Sequence, residues 1–392
     1  MGDFGDPMRK KLPLSLTVGS FALALLCVFS LGVASFWVPD SVSVFEDGEY
    51  PSYPCFSFAE EGDSARLCLF GVIPLKEVSV RKVERVSLIP GGFVFGVKVF
   101  ANGVSVAGLR DGELSPAGTA GVRVGDVIVA INGRGVSSAH DVTAAIDASR
   151  GAPLLFTLRR GGELVSLSVT PALSEDGKYK TGMWVKDTAS GIGTVTFVDP
   201  RTGEFGGLGH GICDPDSGKL VEMKRGCVTG VHIRTVTPGK AGAPGEIRGT
   251  LLGEKKGSLL ENTESGVFGV LGDTEGLGEP LPIALSHEVK AGEATLLCTL
   301  EDGVRREYDV CIATIHHTEG TKCFTVKVTD ADLLAKTGGI VQGMSGSPII
   351  QDGKLVGAVT HVMVNDPTTG YGIFIENMLN ASEIARNELP AA

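Results

Sequence analysis

The chain has 392 residues, 43% of them hydrophobic and only 6% aromatic, with 55 glycines. That composition excludes disorder as the default and favours a turn-rich, strand-dominated protein of two or three globular units. A formal charge of −11 with no Lys/Arg-rich block leaves nothing to replace counterions along a phosphate backbone, which excludes nucleic acid as a partner.

Arg9-Lys10-Lys11 precede a run from Leu12 to Val38 that contains no charged residue. The run is long enough to span a bilayer and exceeds the ~7–15 apolar residues of a signal-peptide core. Residues 1–38 are therefore predicted to be a cytoplasmic N-terminus and a transmembrane signal anchor, with a cut near Ala34 as the alternative. The basic cluster holds its end in the cytoplasm, so the chain after Pro39 lies across the membrane. Cys27 falls inside the run, which leaves an odd set outside it: Cys55, Cys68, Cys213, Cys227, Cys298, Cys311 and Cys323. Export permits disulfides, and Cys55 with Cys68 is the first pair to test, yet an odd count leaves at least one thiol unpaired. No Cys-x-x-Cys spacing occurs, so no metal site is expected and no cofactor is called for.

Residues 39–87 carry Pro39, Pro51, Pro54 and Pro74 and read as an irregular stalk, with one half-exposed strand in the alternating stretch from Glu77 to Val83. Residues 88–172 are more regular. Strand alternation at Val104-Ser105-Val106 is followed by Ser115-Pro116-Ala117-Gly118-Thr119-Ala120-Gly121, then Gly125-Asp126, the apolar Val127–Ile131, and Asn132-Gly133. A short helix, a Gly-Asp turn, a strand and an Asn-Gly turn are predicted in that order, then a helix at Ala139–Ile146 and a strand at Leu154–Arg160. The run resembles the bacterial PDZ family. The resemblance implies a module that receives a peptide as an added strand, its carboxylate held by a Gly-containing loop. Phe95-Gly96-Val97 is the loop that matches, and the groove's occupant is either an external peptide or the protein's own chain.

From about residue 173 to the end, short apolar strands alternate with Gly-rich turns, a pattern that suits a closed or double β-barrel. Only the stretch from Asn377 to Leu389 reads as helical. A catalytic serine needs a tight turn, a base for its proton and N–H donors for the developing oxyanion. Gly343-Met344-Ser345-Gly346-Ser347-Pro348 supplies the turn, with Ser345 as nucleophile and the N–H groups of Gly343 and Ser345 as the hole. Ile349-Ile350, a turn at Asp352-Gly353 and the return strand Leu355–Val362 would hold it rigidly. The turn resembles the Gly-x-Ser-Gly-x-Pro signature of chymotrypsin-like peptidases, with Met344 in place of their acidic residue.

His210 has the most suggestive setting among the histidines, because Gly206, Gly207, Gly209 and Gly211 crowd it and a base facing a cleft can use such backbone freedom. His361, on the return strand, is a second candidate base or a pocket residue. The third member should be a carboxylate that fixes the imidazole tautomer. Asp330 and Asp332 compete for that role, and either could instead cap the helix that follows.

The apolar run, the PDZ module, the glycine-framed His210, the segment Thr337–Ile350 and the tail Gly357–Gly372 together resemble the stage IV sporulation protein B family. The resemblance implies a mainly β chain: transmembrane helix, PDZ domain over 88–172, and a chymotrypsin-like double β-barrel serine endopeptidase over 173–392. It also implies a catalytic set of His210, Asp330 and Ser345, choosing Asp330 over Asp332. The implied role is sporulation signalling from the forespore intermembrane space. There the enzyme cuts itself and a membrane-bound regulator of an intramembrane protease, which activates a late sigma factor. Two other readings compete: a catalytically silent, membrane-tethered PDZ scaffold, and a PDZ peptidase with a Ser/Lys pair drawn from Lys336 or Lys354.

Overall fold

The computed structural model describes Ala22, Leu26 and residues 40–382, apart from 47, 49, 54, 63, 111–114, 216–217, 301–302 and 317–319. Save for Ala22 and Leu26, the predicted membrane segment lies outside the described residues. Among those described, no helix is long and apolar enough to cross a membrane. The predicted C-terminal helix begins earlier than expected, at Ile375–Ala381, and its expected end beyond 382 lies outside the described residues.

Two compact units divide the chain near Glu84. The first corrects the expectation of an irregular stalk: Ser41–Phe45, Phe56–Glu61, Ser64–Leu69 and Ile73–Val83 form a four-stranded sheet. Its core is Val42, Val44, Ala65, Leu67, Val78 and Val80, all buried. The four prolines concealed it. Of the two that are described, Pro51 falls outside the strands and Pro74 stands near a strand's start, where a missing N–H is tolerated.

The second unit contains two six-stranded rings. In one, Gly292–Thr299, Arg305–Ile315, Phe324–Val328, Asp366–Phe374, Lys354–Met363 and Pro348–Gln351 pair in that order and close into a barrel. In the other, the first ring in chain order, Val94–Leu109 pairs with Met223–Thr237, and the ring continues through Glu246–Thr263, Gly266–Leu271, Glu204–Gly207 and Met183–Val198 back to Val94–Leu109. The double barrel expected from the sequence is present.

The PDZ module sits inside the first ring rather than ahead of it. Strands Val94–Leu109 and Met183–Val198 are each 16 residues long and belong to both bodies. Phe95, Val97 and Val99 point into the barrel core, whereas Val104 and Val106 of the same strand point into the PDZ core with Ile128, Val142, Phe156 and Leu158. Gly103 marks the change, at φ +125° and with a would-be Cβ 2.8 Å from the Ile128 carbonyl, a conformation and a closeness only glycine meets without strain. A peptidase domain of 173–392 therefore lacks Val94–Leu109, which its ring needs for closure, and a PDZ domain of 88–172 lacks Met183–Lys186, which pairs with that same strand.

Candidate active site

The second ring presents the serine turn as the sequence suggested. Pro348–Gln351 and Lys354–Met363 form a hairpin closed by Asp352 and Gly353, at φ +51° and +71°, the two positive angles of a tight hairpin turn. Met344 is fully buried, which explains an apolar residue at that place in the turn. Gly346 has φ +93°, and a Cβ there would lie 2.0 Å from the Thr194 carbonyl oxygen and 2.4 Å from the Leu208 nitrogen.

Every polar group of the turn's backbone is spoken for except two. The N–H groups of Met344, Gly346 and Ser347 donate to the carbonyls of Val341, Val359 and Met344 at 3.1, 2.7 and 2.9 Å. The carbonyl of Gly343 accepts from Thr194 Oγ1 at 2.8 Å, that of Ser345 from the Thr194 N–H at 2.9 Å, and that of Gly346 from Thr196 Oγ1 at 2.8 Å. Among the described residues, no hydrogen bond engages the N–H of Gly343 or of Ser345. These are the donors an oxyanion hole requires, left free while their neighbours are pinned.

The first ring presents His210 on the turn after Glu204–Gly207. Leu208 and Gly209 both adopt left-handed angles, φ +66° and +67°, and a left-handed leucine is a strained residue of the kind that gathers at functional sites. The Leu208 N–H donates to the Thr194 carbonyl at 3.1 Å. Thr194, fully buried, thus holds the histidine turn with its carbonyl and the serine turn with its N–H and hydroxyl.

His210, His361, Ser345, Gly343 and Thr360 line one cleft of about 840 Å³. The His210 and His361 rings lie 4.9 Å apart between centroids, at 35°. His210 Nδ1 pairs with the Gly211 carbonyl at 2.9 Å; when Nδ1 carries the proton, Nε2 is the basic nitrogen. Burial lowers the His210 pKa from its ordinary 6.5, opposed by that carbonyl. The His361 pKa falls to about 4, through loss of hydration first and then the positive charge of His210 and Lys322. Ser345 Oγ donates to the Thr360 carbonyl at 2.7 Å, so the hydroxyl must turn away from Thr360 to engage an imidazole.

Two expected sites are corrected. Asp330 does not line the cleft. It is the N-cap of helix Ala331–Thr337, its carboxylate accepting from the Leu333 N–H at 2.8 Å, while Asp332 is exposed in the helix's first turn. The hydrogen-bond partner of His210 Nδ1 is the Gly211 carbonyl. Phe95-Gly96-Val97 is no carboxylate loop, because it lies mid-strand with both edges used: Gly96 pairs Ile192 on one side and Thr229 on the other. An added strand has nowhere to bond.

The groove lies at the opposite end of the module. Met183–Lys186 pairs with Val94–Leu109, the only strand that pairs with it among the described residues. Helix Ala139–Ser149 flanks it, and Asp187 Oδ2 accepts from the Ala139 N–H at 2.9 Å. A cleft of about 620 Å³ runs between helix residues Thr143, Ile146 and Asp147 and strand residues Met183 and Trp184, with Gly182 at its end. The signal for it, a Gly before an alternating apolar run, is present at Gly182-Met183-Trp184-Val185, but it falls after the segment that reads as complete.

Comparison with known proteins agrees with this architecture. The family model described as SpoIVB peptidase S55 matches residues 177–379, and a PDZ domain model matches 112–160. The chain belongs to the SpoIVB peptidase S55 family. It is a serine endopeptidase with a PDZ domain. The family match begins at residue 177 and so omits Val94–Leu109, the strand that closes the first ring. Among curated relatives, putative zinc metalloprotease LL2128 of Lactococcus lactis subsp. lactis (strain IL1403) is 35% identical over 114 residues, 27% of this chain and 26% of that protein. Serine protease HTRA1 of Xenopus tropicalis is 44% identical over 57 residues, 14% of this chain and 12% of that one. The chain therefore spans only a small part of the length of these relatives. Of solved structures, Rv3671c protease from M. tuberculosis, active form, aligns over 52% of this chain and 76% of its own at 13% identity and TM-score 0.29. HtrA-type protease AlgW with decapeptide aligns over 52% and 54% at 12% identity and TM-score 0.32.

Proposed function

We propose that this peptidase works by Ser345 with His210 as its base, is held to a membrane by the Leu12–Val38 run, and acts in sporulation signalling. The observation that carries the catalytic part is the pair of unengaged N–H groups at Gly343 and Ser345, in the same cleft as His210. His210, kept neutral near pH 7 by its lowered pKa, takes the Ser345 proton as the oxygen attacks a peptide carbonyl, and the two N–H groups receive the oxyanion. The imidazolium then protonates the leaving amine, and water repeats the sequence to free the acyl group. Family membership supports a substrate set of the chain itself and a membrane-bound regulator of an intramembrane protease, cut in the forespore intermembrane space to activate a late sigma factor. The Gly182–Lys186 groove would receive a protein segment as an added strand.

Lys336 and Lys354 do not line the cleft, and Lys354 is paired with Glu288 at 2.6 Å, which argues against a Ser/Lys dyad. The test is Ser345→Ala in the full chain, with self-cleavage followed by intact mass and cleavage of the candidate regulator by gel. Loss of both is expected. Persistence of both at the wild-type rate would leave a silent PDZ scaffold as the better reading.

A further inference from the structure

The small N-terminal sheet ends in an apolar tip. From Leu67 to Leu75 the chain has no charged residue, and Arg66 and Lys76 flank the stretch. Leu67, Cys68 and Leu69 are buried, but Phe70, Val72 and Ile73 are 70%, 80% and 51% exposed. Phe70 and Gly71 make the turn at φ +49° and +74°, so a bulky aromatic takes a backbone conformation it ordinarily avoids and holds its ring in solvent. Three large apolar side chains together at a loop tip mark a surface that something covers.

The pairing of this sheet says what covers it. Ser41–Phe45 runs parallel to Ile73–Val83, with Ser41 opposite Ser79. The first strand's start therefore faces the same end of the sheet as Ile73, and the tip reaches six residues further, about 20 Å at ~3.3 Å per residue. Asp40 stands at that end: its carbonyl accepts from the Ser79 N–H at 2.9 Å, and its carboxylate pairs with Lys76 at 2.8 Å, three residues from Ile73. The uncharged run closes at Val38, two positions before Asp40, and carries Trp37 at its end, a residue type favoured where hydrocarbon meets headgroup.

We propose that the Phe70–Ile73 tip dips into the surface of the same bilayer that the Leu12–Val38 run enters, so that this domain meets the membrane at two points. The inference rests on the anchor reading. A shallow apolar wedge at a loop tip suits the boundary between headgroups and acyl chains. Its consequence is a domain held in a fixed stance on the lipid rather than swinging from a single tether.

The test uses full-length protein in phosphatidylethanolamine/phosphatidylglycerol vesicles, with brominated lipids as short-range quenchers of tryptophan. With Trp184 replaced by Phe throughout, Trp37 alone reports the run, and Trp37 is in turn replaced by Phe in the two variants that follow so that each carries a single tryptophan. Val72→Trp reports the tip, at a position open enough not to disturb folding. Ala59→Trp, exposed beside the far turn at Glu61–Ser64, is the control. Expected is a blue-shifted emission from Val72→Trp quenched by bromine near the headgroups, with the Ala59→Trp emission solvent-like and unquenched. If Trp37 is quenched while Val72→Trp matches the control, the tip proposal is overturned and the anchor stands. If neither responds, both readings fall.

Discussion

The two rings are built alike and used differently. The ring that carries Ser345 is contiguous, running from Gly292 to Phe374, and every carbonyl from Gly343 to Gly346 is fixed by a hydrogen bond. The ring that carries His210 is interrupted by the PDZ module, shares two long strands with it, and holds its histidine on a strained turn at Leu208-Gly209. In the proposed mechanism one ring supplies a rigid nucleophile and hole, and the other supplies a base whose position depends on a strand that also lines the Gly182–Lys186 cleft. The lesson is mechanical: strand Met183–Val198 begins in the groove and passes Thr194, which clasps both catalytic turns.

Removing the base is the most severe way to probe that division. His210→Ala should lower kcat by on the order of 10²–10⁴-fold with the fold retained, as judged by circular dichroism and single-turnover cleavage. Full activity in this variant would shift the base to His361, the other imidazole of the cleft. A smaller effect is expected at the clasp. Thr194→Val keeps the backbone bonds but deletes the hydroxyl that holds the Gly343 carbonyl, freeing that peptide to turn. A drop in kcat of about tenfold to a hundredfold is expected, with KM nearly unchanged because the hole acts on the transition state. Thr194→Ser, which keeps the hydroxyl, should restore most of it. Equal kcat in the valine variant would show that the serine turn holds its shape unaided.

Much of this site was legible in the residues, and the reasons are local. The turns that carry Ser345 and His210 were readable as turns because the positive φ angles of Gly343, Gly346 and Gly209 are a local demand for glycine, although the close approaches of Gly346 and Gly209 are to Thr194, Leu208 and Thr360, far away in sequence. The hairpin that bears Ser345 was readable from Asp352-Gly353. What escaped was non-local. Phe95-Gly96-Val97 alternates as well in a barrel strand as it would at a PDZ edge, and its partners at 191–193 and 228–229 come from beyond the module. Thr194 shows no motif at all, since its role consists of bonds to residues some 150 positions away. Asp330 drew attention as a carboxylate ahead of the serine, yet Asp before a short helix is also the ordinary signature of an N-cap.

Acid should separate the rings more gently. His210 works only when neutral, and burial lowers its pKa, so the acid limb of kcat/KM should fall below 6.5 rather than at it. Stability follows the same sign. His361 titrates at about 4 in the folded chain against 6.5 unfolded, so the unfolded state takes up protons first, and stability declines as pH drops from 6.5 toward about 4. Replacing His361 by Gln should flatten the decline in urea-midpoint measurements across that window. An acid limb above 6.5 would mean that His210 gains a carboxylate partner absent from this arrangement.

The smallest change is expected where the family resemblance expects a large one. Asp330→Asn should leave kcat within about twofold, because asparagine caps a helix as well as aspartate does and the His210 Nδ1 partner is the Gly211 carbonyl. Asp330→Ala removes the cap and should cost about 1 kcal/mol of stability, read as a lower thermal midpoint with kcat per folded molecule preserved. Comparing the two separates capping from catalysis: a carboxylate needed for chemistry would make both variants equally inactive, whereas a cap makes only the alanine variant suffer, and only in stability.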